Sequence, residues 1–192
     1  VVIDPPGCAP IFAGLITGAT RRQALSMAAR ACLIATGILV GFALFGEQLL
    51  GALHIELDAF RIAGGIMLFL IALDMVFEKR TRRREERAEK IRSTEVEDVA
   101  VFPMAMPMLA GPGSIATIML LMSRASGTEQ TLVILAALAL VMILSFAALA
   151  AARPLMKLAG PQTEAIITRL LGVLLAALAA QYVVDGVKAT LG

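Results

Sequence analysis

Two short stretches hold most of the residues able to do chemistry in this chain. "DPPGCAPIF" at 4–12 sets an aspartate, two prolines and a glycine in an otherwise apolar run, and "AGPGSIATI" at 110–118 nearly echoes it. Proline and glycine at such points interrupt a helix, and irregular backbone survives in hydrocarbon only against protein or a watery cavity. An interruption frees the N–H groups that open the following half-helix, and their partial positive charge favours an anion such as a substrate carboxylate. The candidate substrate-binding residues are therefore Gly7, Cys8 and Ala9 in the first stretch, and Gly111, Gly113 and Ser114 in the second. Thr117 presents a further hydroxyl about one turn on, and Pro10 falls in a first helical turn, where a missing N–H costs little. The plainer alternative is a kink or helix end at an interface. Two such sites at matched positions favour a paired substrate or ion site.

Asp4 is the sharpest single residue, because ionisable groups inside a span are expensive and mark function. Aspartate before proline is also an ordinary helix N-cap, so capping alone and capping combined with proton or sodium coupling both stay open. A second constellation lies near the ends of two spans, with Arg61 and Asp185 toward one side of the membrane and Asp74 and Arg169 toward the other. These four are candidate outer and inner ion-pair gates, against the alternative of snorkelling to headgroups. His54, Cys8 and Cys32 have no metal-ligand spacing and form no disulfide framework; the two thiols read as packing residues. No nucleotide-binding Gly-rich loop, His/Glu metal motif or serine–base pairing is present. No cofactor and no enzymatic activity are expected.

The elements that must position these residues follow from composition. Of 192 residues, 59% are hydrophobic and 17% charged, where a soluble domain has about 45–50% and about 25%. The charges are clustered between long apolar runs, which defines an integral membrane protein whose partners are the bilayer and a small solute, with no nucleic acid. Five full spans are expected at about 27–45, 59–77, 99–122, 131–152 and 165–185. Residues 1–20 form an incomplete first span: about 14 helical residues reach roughly 21 Å, short of the roughly 30 Å core. An apolar half-helix before Val1 is expected, a re-entrant hairpin being the alternative. With alternating spans, the loops on one side carry twelve Lys and Arg, eight of them within 79–92, against two on the other. The basic loops are thus expected in the cytoplasm and both termini outside. The 78–98 loop mixes both signs and reads as a solvated helical extension, with lipid-headgroup or regulatory contact as the alternative.

Pro6-Gly7-Cys8 aligns with Pro112-Gly113-Ser114 at an offset of 106, and Arg61, Gly64 and Ala72 with Arg169, Gly172 and Ala180 at 108. Three spans per half make the second half enter the membrane in the opposite sense, the inverted-topology plan of many secondary transporters. The expected architecture is all-α: a first three-helix repeat over 1–77, the charged loop over 78–98 and a second three-helix repeat over 99–192, with helices 1 and 4 broken. Gly14/Gly18 and Gly37/Gly41 have helix-pair spacing and read as packing positions.

"DPPGCAPIF", "FRIAGGIMLFLIALDMVFEKR" and "FPMAMPMLAGPGSIATIMLL" together resemble the MarC family, also called the neutral amino acid transporter (NAAT) family, over essentially the whole chain. The family's signature falls on Asp4 to Ala9 and on Ala110 to Ser114. The resemblance implies a six-span protein of the bacterial cytoplasmic membrane, related to the LysE-type transporters and moving glycine, alanine and similar small neutral amino acids. The substrate carboxylate would then rest on Gly7–Cys8 and Gly113–Ser114, in a pocket lined by small uncharged residues. A channel or exporter for another small solute is the rival on the same scaffold.

Overall fold

The computed structural model describes residues 1–16, 18–77 and 100–191, with the backbone alone over 155–165. The charged 78–98 loop lies outside the described residues. Seven wound segments follow one another: α1 Pro5–Leu15, α2 Arg21–Ala52, α3 Leu57–Val76, α4 Ala100–Leu109, α5 Pro112–Met122, α6 Thr128–Ala150 and α7 Ala152–Leu191. There are no strands among the described residues. Four helices are long and apolar enough to cross a membrane, or up to five if α4 and α5, bent by 51° at their junction, count as one span. These match the five expected full spans, while α1, at 11 residues, reaches only about 16 Å.

The boundaries differ from expectation in three places, each for a local reason. α2 starts at Arg21, six residues early, because Thr20 and Gln23 form a reciprocal capping box. Gln23 N–H donates to Thr20 Oγ1 (3.3 Å), and Thr20 N–H donates to Gln23 Oε1 (2.8 Å). Arg153 and Lys157 sit inside the 40-residue α7 rather than in a loop. Pro154 falls in its first turn, where no N–H is needed. α4 is not a regular helix but is kinked, with Phe102 and Met106 extended (φ −133° in both) ahead of Pro103 and Pro107. A residue before proline is pushed out of the helical region, and "FPMAMP" does this twice.

The packing is organised around α3 and α7. A Cβ on Gly65 would lie 2.9 Å from the Ala179 carbonyl oxygen, one on Gly172 3.1 Å from that of Ala72, and one on Gly186 3.0 Å from that of Asp58. Low numbers on α3 thus meet high numbers on α7, so the two helices run antiparallel with their backbones nearly touching. Small residues allow this, and lipid-embedded helices depend on such close van der Waals contact. Leu68, Ala72, Met75, Leu175, Ala179 and Tyr182 fill the seam. A second core joins α1, α2, α4 and α6 through Cys8, Phe12, Ala35, Leu39, Met104 and Met142. Thr36 and Ser145 sit inside spans and donate to the carbonyls of Cys32 and Val141, one turn back, so neither hydroxyl is left bare. Leu33, Leu132, Ile143 and Leu170 are more than 60% exposed and form an apolar belt suited to lipid.

The packing roles expected of Gly14/Gly18 and Gly37/Gly41 are not found among the described residues: a Cβ at any of the four meets none of them within 4 Å. Spacing alone does not say which face of a helix has a neighbour. Gly65→Val should therefore lower the stability of the detergent-solubilised protein by about 1–3 kcal/mol through overpacking, while Gly41→Ala should stay within about 0.5 kcal/mol. Thermal unfolding of both variants measures the difference.

Candidate functional site

The first interruption is closed by its own aspartate. Asp4 takes a left-handed conformation (φ 56°, ψ 66°) and caps α1. Gly7 N–H donates to Asp4 Oδ1 at 3.2 Å, Cys8 N–H donates to the Asp4 carbonyl at 3.1 Å, and Cys8 Sγ donates to the Ile3 carbonyl at 3.4 Å. Asp4 is 1% exposed, and Cys8 and Ala9 are fully buried. A Cβ on Gly7 would overlap Asp4 Oδ2, so only glycine lets the carboxylate fold onto the helix end. The Gly7 and Cys8 amides expected to receive a substrate are thus already taken, the first by the carboxylate tethered three residues away and the second by the Asp4 backbone carbonyl.

The second interruption is built without a carboxylate. Gly111 precedes α5 in an extended conformation (ψ 169°) and caps it with no side-chain bond. Its missing Cβ makes room for the Pro107 carbonyl oxygen, so the α4–α5 corner folds tightly on itself. Pro112 has no N–H, and Ile115 N–H returns to the Gly111 carbonyl at 3.0 Å. The Gly113 and Ser114 amides are then the first-turn donors with no intrahelical acceptor. Ser114 is 6% exposed, and its hydroxyl takes no hydrogen-bond partner among the described residues. Thr117 departs from expectation: its Oγ1 donates to the Gly113 carbonyl at 2.8 Å, bracing the helix and leaving only acceptor capacity.

The two corners are neighbours. A Cβ on Gly113 would lie 3.2 Å from Val2 Cγ1, two residues before Asp4, and 2.5 Å from Ile71 Cδ1 of α3. The space over Gly113 is therefore filled by apolar side chains, a closed arrangement at that point.

The four candidate gate residues divide as expected between the two ends of the α3–α7 pair, since the antiparallel register sets Arg61 level with Asp185 and Asp74 level with Arg169. The Arg61–Asp185 pair nevertheless does not form. Arg61 bonds Asp58, one turn back on α3, at 2.8 Å. Asp185 bonds Arg124, just past the end of α5, and also accepts from Gln181 Nε2 at 2.6 Å. The Arg124 guanidinium lies 4.5 Å from the centre of the buried Tyr182 ring. Nearer partners outcompete the symmetric one. Sequence reasoning missed this Arg124–Tyr182–Asp185 group; a lone arginine on the sparsely charged side was its one signal. It also missed Arg153, which donates from α7 to the Ile16 (2.9 Å) and Ala19 (2.7 Å) carbonyls and so satisfies the far end of α1.

Among the described residues no group of three or more His, Cys, Asp or Glu could hold a metal ion. Interrupted helices buried within a bundle of apolar spans define a multi-pass integral membrane protein with irregular backbone held inside it. The chain belongs to the MarC family of integral membrane proteins, whose family model matches residues 1–191. It is 36% identical to the UPF0056 membrane protein MJ1677 of Methanocaldococcus jannaschii, over 99% of this chain and 92% of that protein. It is 32% identical to the UPF0056 membrane protein YvbG of Bacillus subtilis (97% and 89% covered), and 28% to YhcE of Escherichia coli (97% and 87%). Archaea and bacteria thus both hold relatives. No solved structure matches.

Asp4→Ala and Gly7→Ala should each destabilise the protein by about 0.5–2 kcal/mol through loss of the α1 cap, and Asp4→Asn, which keeps an acceptor oxygen, by much less. Chemical denaturation of the three variants in detergent separates these outcomes.

Proposed function

We propose that the protein is a secondary transporter of small neutral amino acids of the glycine and alanine type, working by alternating access and driven by a proton or sodium gradient. In this reading it sits in the cytoplasmic membrane with its basic loops inside and both termini outside. One observation carries the proposal: two buried, adjacent helix interruptions, each packed on the helices of the opposite half. α1 contacts α6 and α7, whereas α5 contacts α2 and α3. Helix starts repeat as well: Pro5 and Pro112 each open an 11-residue helix, and Arg21 and Thr128 open the next, both pairs 107 residues apart. Exchanged contacts at a constant offset support a 3+3 inverted repeat, the plan in which broken helices hold a solute near the midplane.

Within that plan the two interruptions take different roles. The Gly113 and Ser114 amides with the Ser114 hydroxyl receive the substrate carboxylate, as helix N-termini receive anions. Asp4 holds the matching place on α1 and is the candidate coupling residue. The apolar cover of Val2 and Ile71 over Gly113 belongs to a closed state that must part for the solute to enter.

A channel or exporter for another small solute remains the second reading on this scaffold. Proteoliposomes decide between them. Radiolabelled glycine or alanine should accumulate under an imposed proton or sodium gradient and exchange against unlabelled substrate inside. Asp4→Asn should abolish gradient-driven accumulation yet keep exchange. Uptake that saturates without exchange, or no uptake of either amino acid, overturns the amino acid transporter reading.

A further inference from the structure

A cavity of about 190 Å³ opens between α2, α5 and α6, on the face that carries the 53–56 and 123–127 connections. It bridges the two halves: Ala43 and Glu47 come from α2, Met119 from the last turns of α5, and Thr131 from the start of α6. The flexible Met119 side chain forms its inner wall, seated in the notch left by Gly46, where a Cβ would lie 2.8 Å from Met119 Cγ and Cε. Six residues separate Met119 from Gly113, about 9 Å along α5 at 1.5 Å each.

The polar chemistry of this cavity has one sign. Among the described residues, Glu47 is the only charged one lining it. Ser123 Oγ donates its hydrogen to the Leu120 carbonyl (3.0 Å) and Thr131 Oγ1 to that of Gly127 (3.2 Å). With its amide turned to satisfy both ends, Gln48 donates through Nε2 to the Leu44 (3.1 Å) and Phe45 (3.3 Å) carbonyls. What these four side chains have left to offer a visitor is acceptors: a carboxylate, an amide oxygen and two hydroxyl oxygens. An ammonium group is the complement, with three donors and no acceptor. The volume holds several waters at about 30 Å³ each and falls below the roughly 300–1,000 Å³ of sites for drug-sized ligands, so the visitor is small.

We propose that this cavity is an access vestibule for a small solute bearing an ammonium group, with Glu47 as its counter-charge. The inference rests on the transporter reading for its place in the pathway and adds a site remote from the Pro-Gly corners. It supplies the positive end of a zwitterion with a partner before the carboxylate reaches Gly113 and Ser114.

Two thiol probes test it without knowledge of the substrate. Leu44→Cys and Thr131→Cys line the cavity from different helices, and both are made in a chain whose Cys32, which lines another hollow, is replaced by alanine; that chain without the new thiols is the blank. Oriented vesicles are treated with membrane-impermeant cationic and anionic methanethiosulfonates, and each rate is scaled to that of a free thiol. The cationic reagent should be favoured on the order of tenfold, from the side bearing the 123–127 connection, and Glu47→Gln should remove the preference. No reaction at either position, no preference, or a preference that survives Glu47→Gln overturns the vestibule. In the same vesicles Glu47→Gln should raise the KM for glycine or alanine uptake about tenfold with the maximal rate unchanged; an unchanged KM overturns the role of Glu47. Absence of transport of either amino acid in wild-type vesicles, with the Glu47-dependent preference still found in the cysteine variants, would sink the substrate reading and leave the vestibule standing.

Discussion

The structure depends on how broken backbone is satisfied where no water can reach it. Each unpaired N–H or C=O in hydrocarbon costs several kcal/mol, so a helix that stops in mid-membrane must find partners inside the protein. α1 finds them at both ends. Asp4 holds the amides of its first turn, and Arg153 reaches from α7 to the Ile16 and Ala19 carbonyls beyond its last. The short helix is thereby fixed between two charged side chains, one of each sign and each suited to the helix end it meets.

That fixing would fail on a loose scaffold, and the α3–α7 pair supplies the stiffness. Gly65, Gly172 and Gly186 bring two backbones close enough that any side chain in their place would meet a carbonyl oxygen. The half-helices then pack on this pair from different sides, α1 against α7 and α5 against α3. Gly64 continues the pattern, since a Cβ there would sit 3.0 Å from Leu120 Cδ1 of α5. Glycine on α3 thus serves two interfaces at once, through adjacent residues on different faces.

Much of this was legible in the sequence because hydrophobic length and proline position are local signals. The five apolar runs and the breaks at Pro5-Pro6-Gly7 and Pro112-Gly113 need no tertiary information. What escaped depends on partners distant in the chain. Gly37 and Gly41 have the same four-residue spacing as any packing pair, yet only the fold reveals that no described residue lies against them. Arg61 and Asp185 lie level with each other, but Asp58 is one turn from Arg61 and Arg124 arrives from the α5–α6 connection, neither of which a symmetric alignment weighs. The kinked, irregular course of α4 was within reach: two prolines four residues apart, each forcing its predecessor out of the helical region, are written in "FPMAMP".

The asymmetry between the corners carries the most consequence. A repeat that kept a carboxylate at both places would neutralise both helix ends and leave no donor for an anionic group. Gly111, the N-cap of α5, stands where Asp4 caps α1, and the α5 corner is accordingly closed by backbone alone, through Gly111 and the Pro107 carbonyl, with the Gly113 and Ser114 amides left over. Asp4 folded onto α1 shows that a carboxylate fits such a helix end in this protein, where it accepts from the Gly7 N–H. A free carboxylate of similar size at the α5 end would meet the same kind of donors, strengthened by the Ser114 hydroxyl. Under the proposed transporter reading, the self-capped corner is the protein's own example of the contact that the α5 corner would make with a substrate carboxylate.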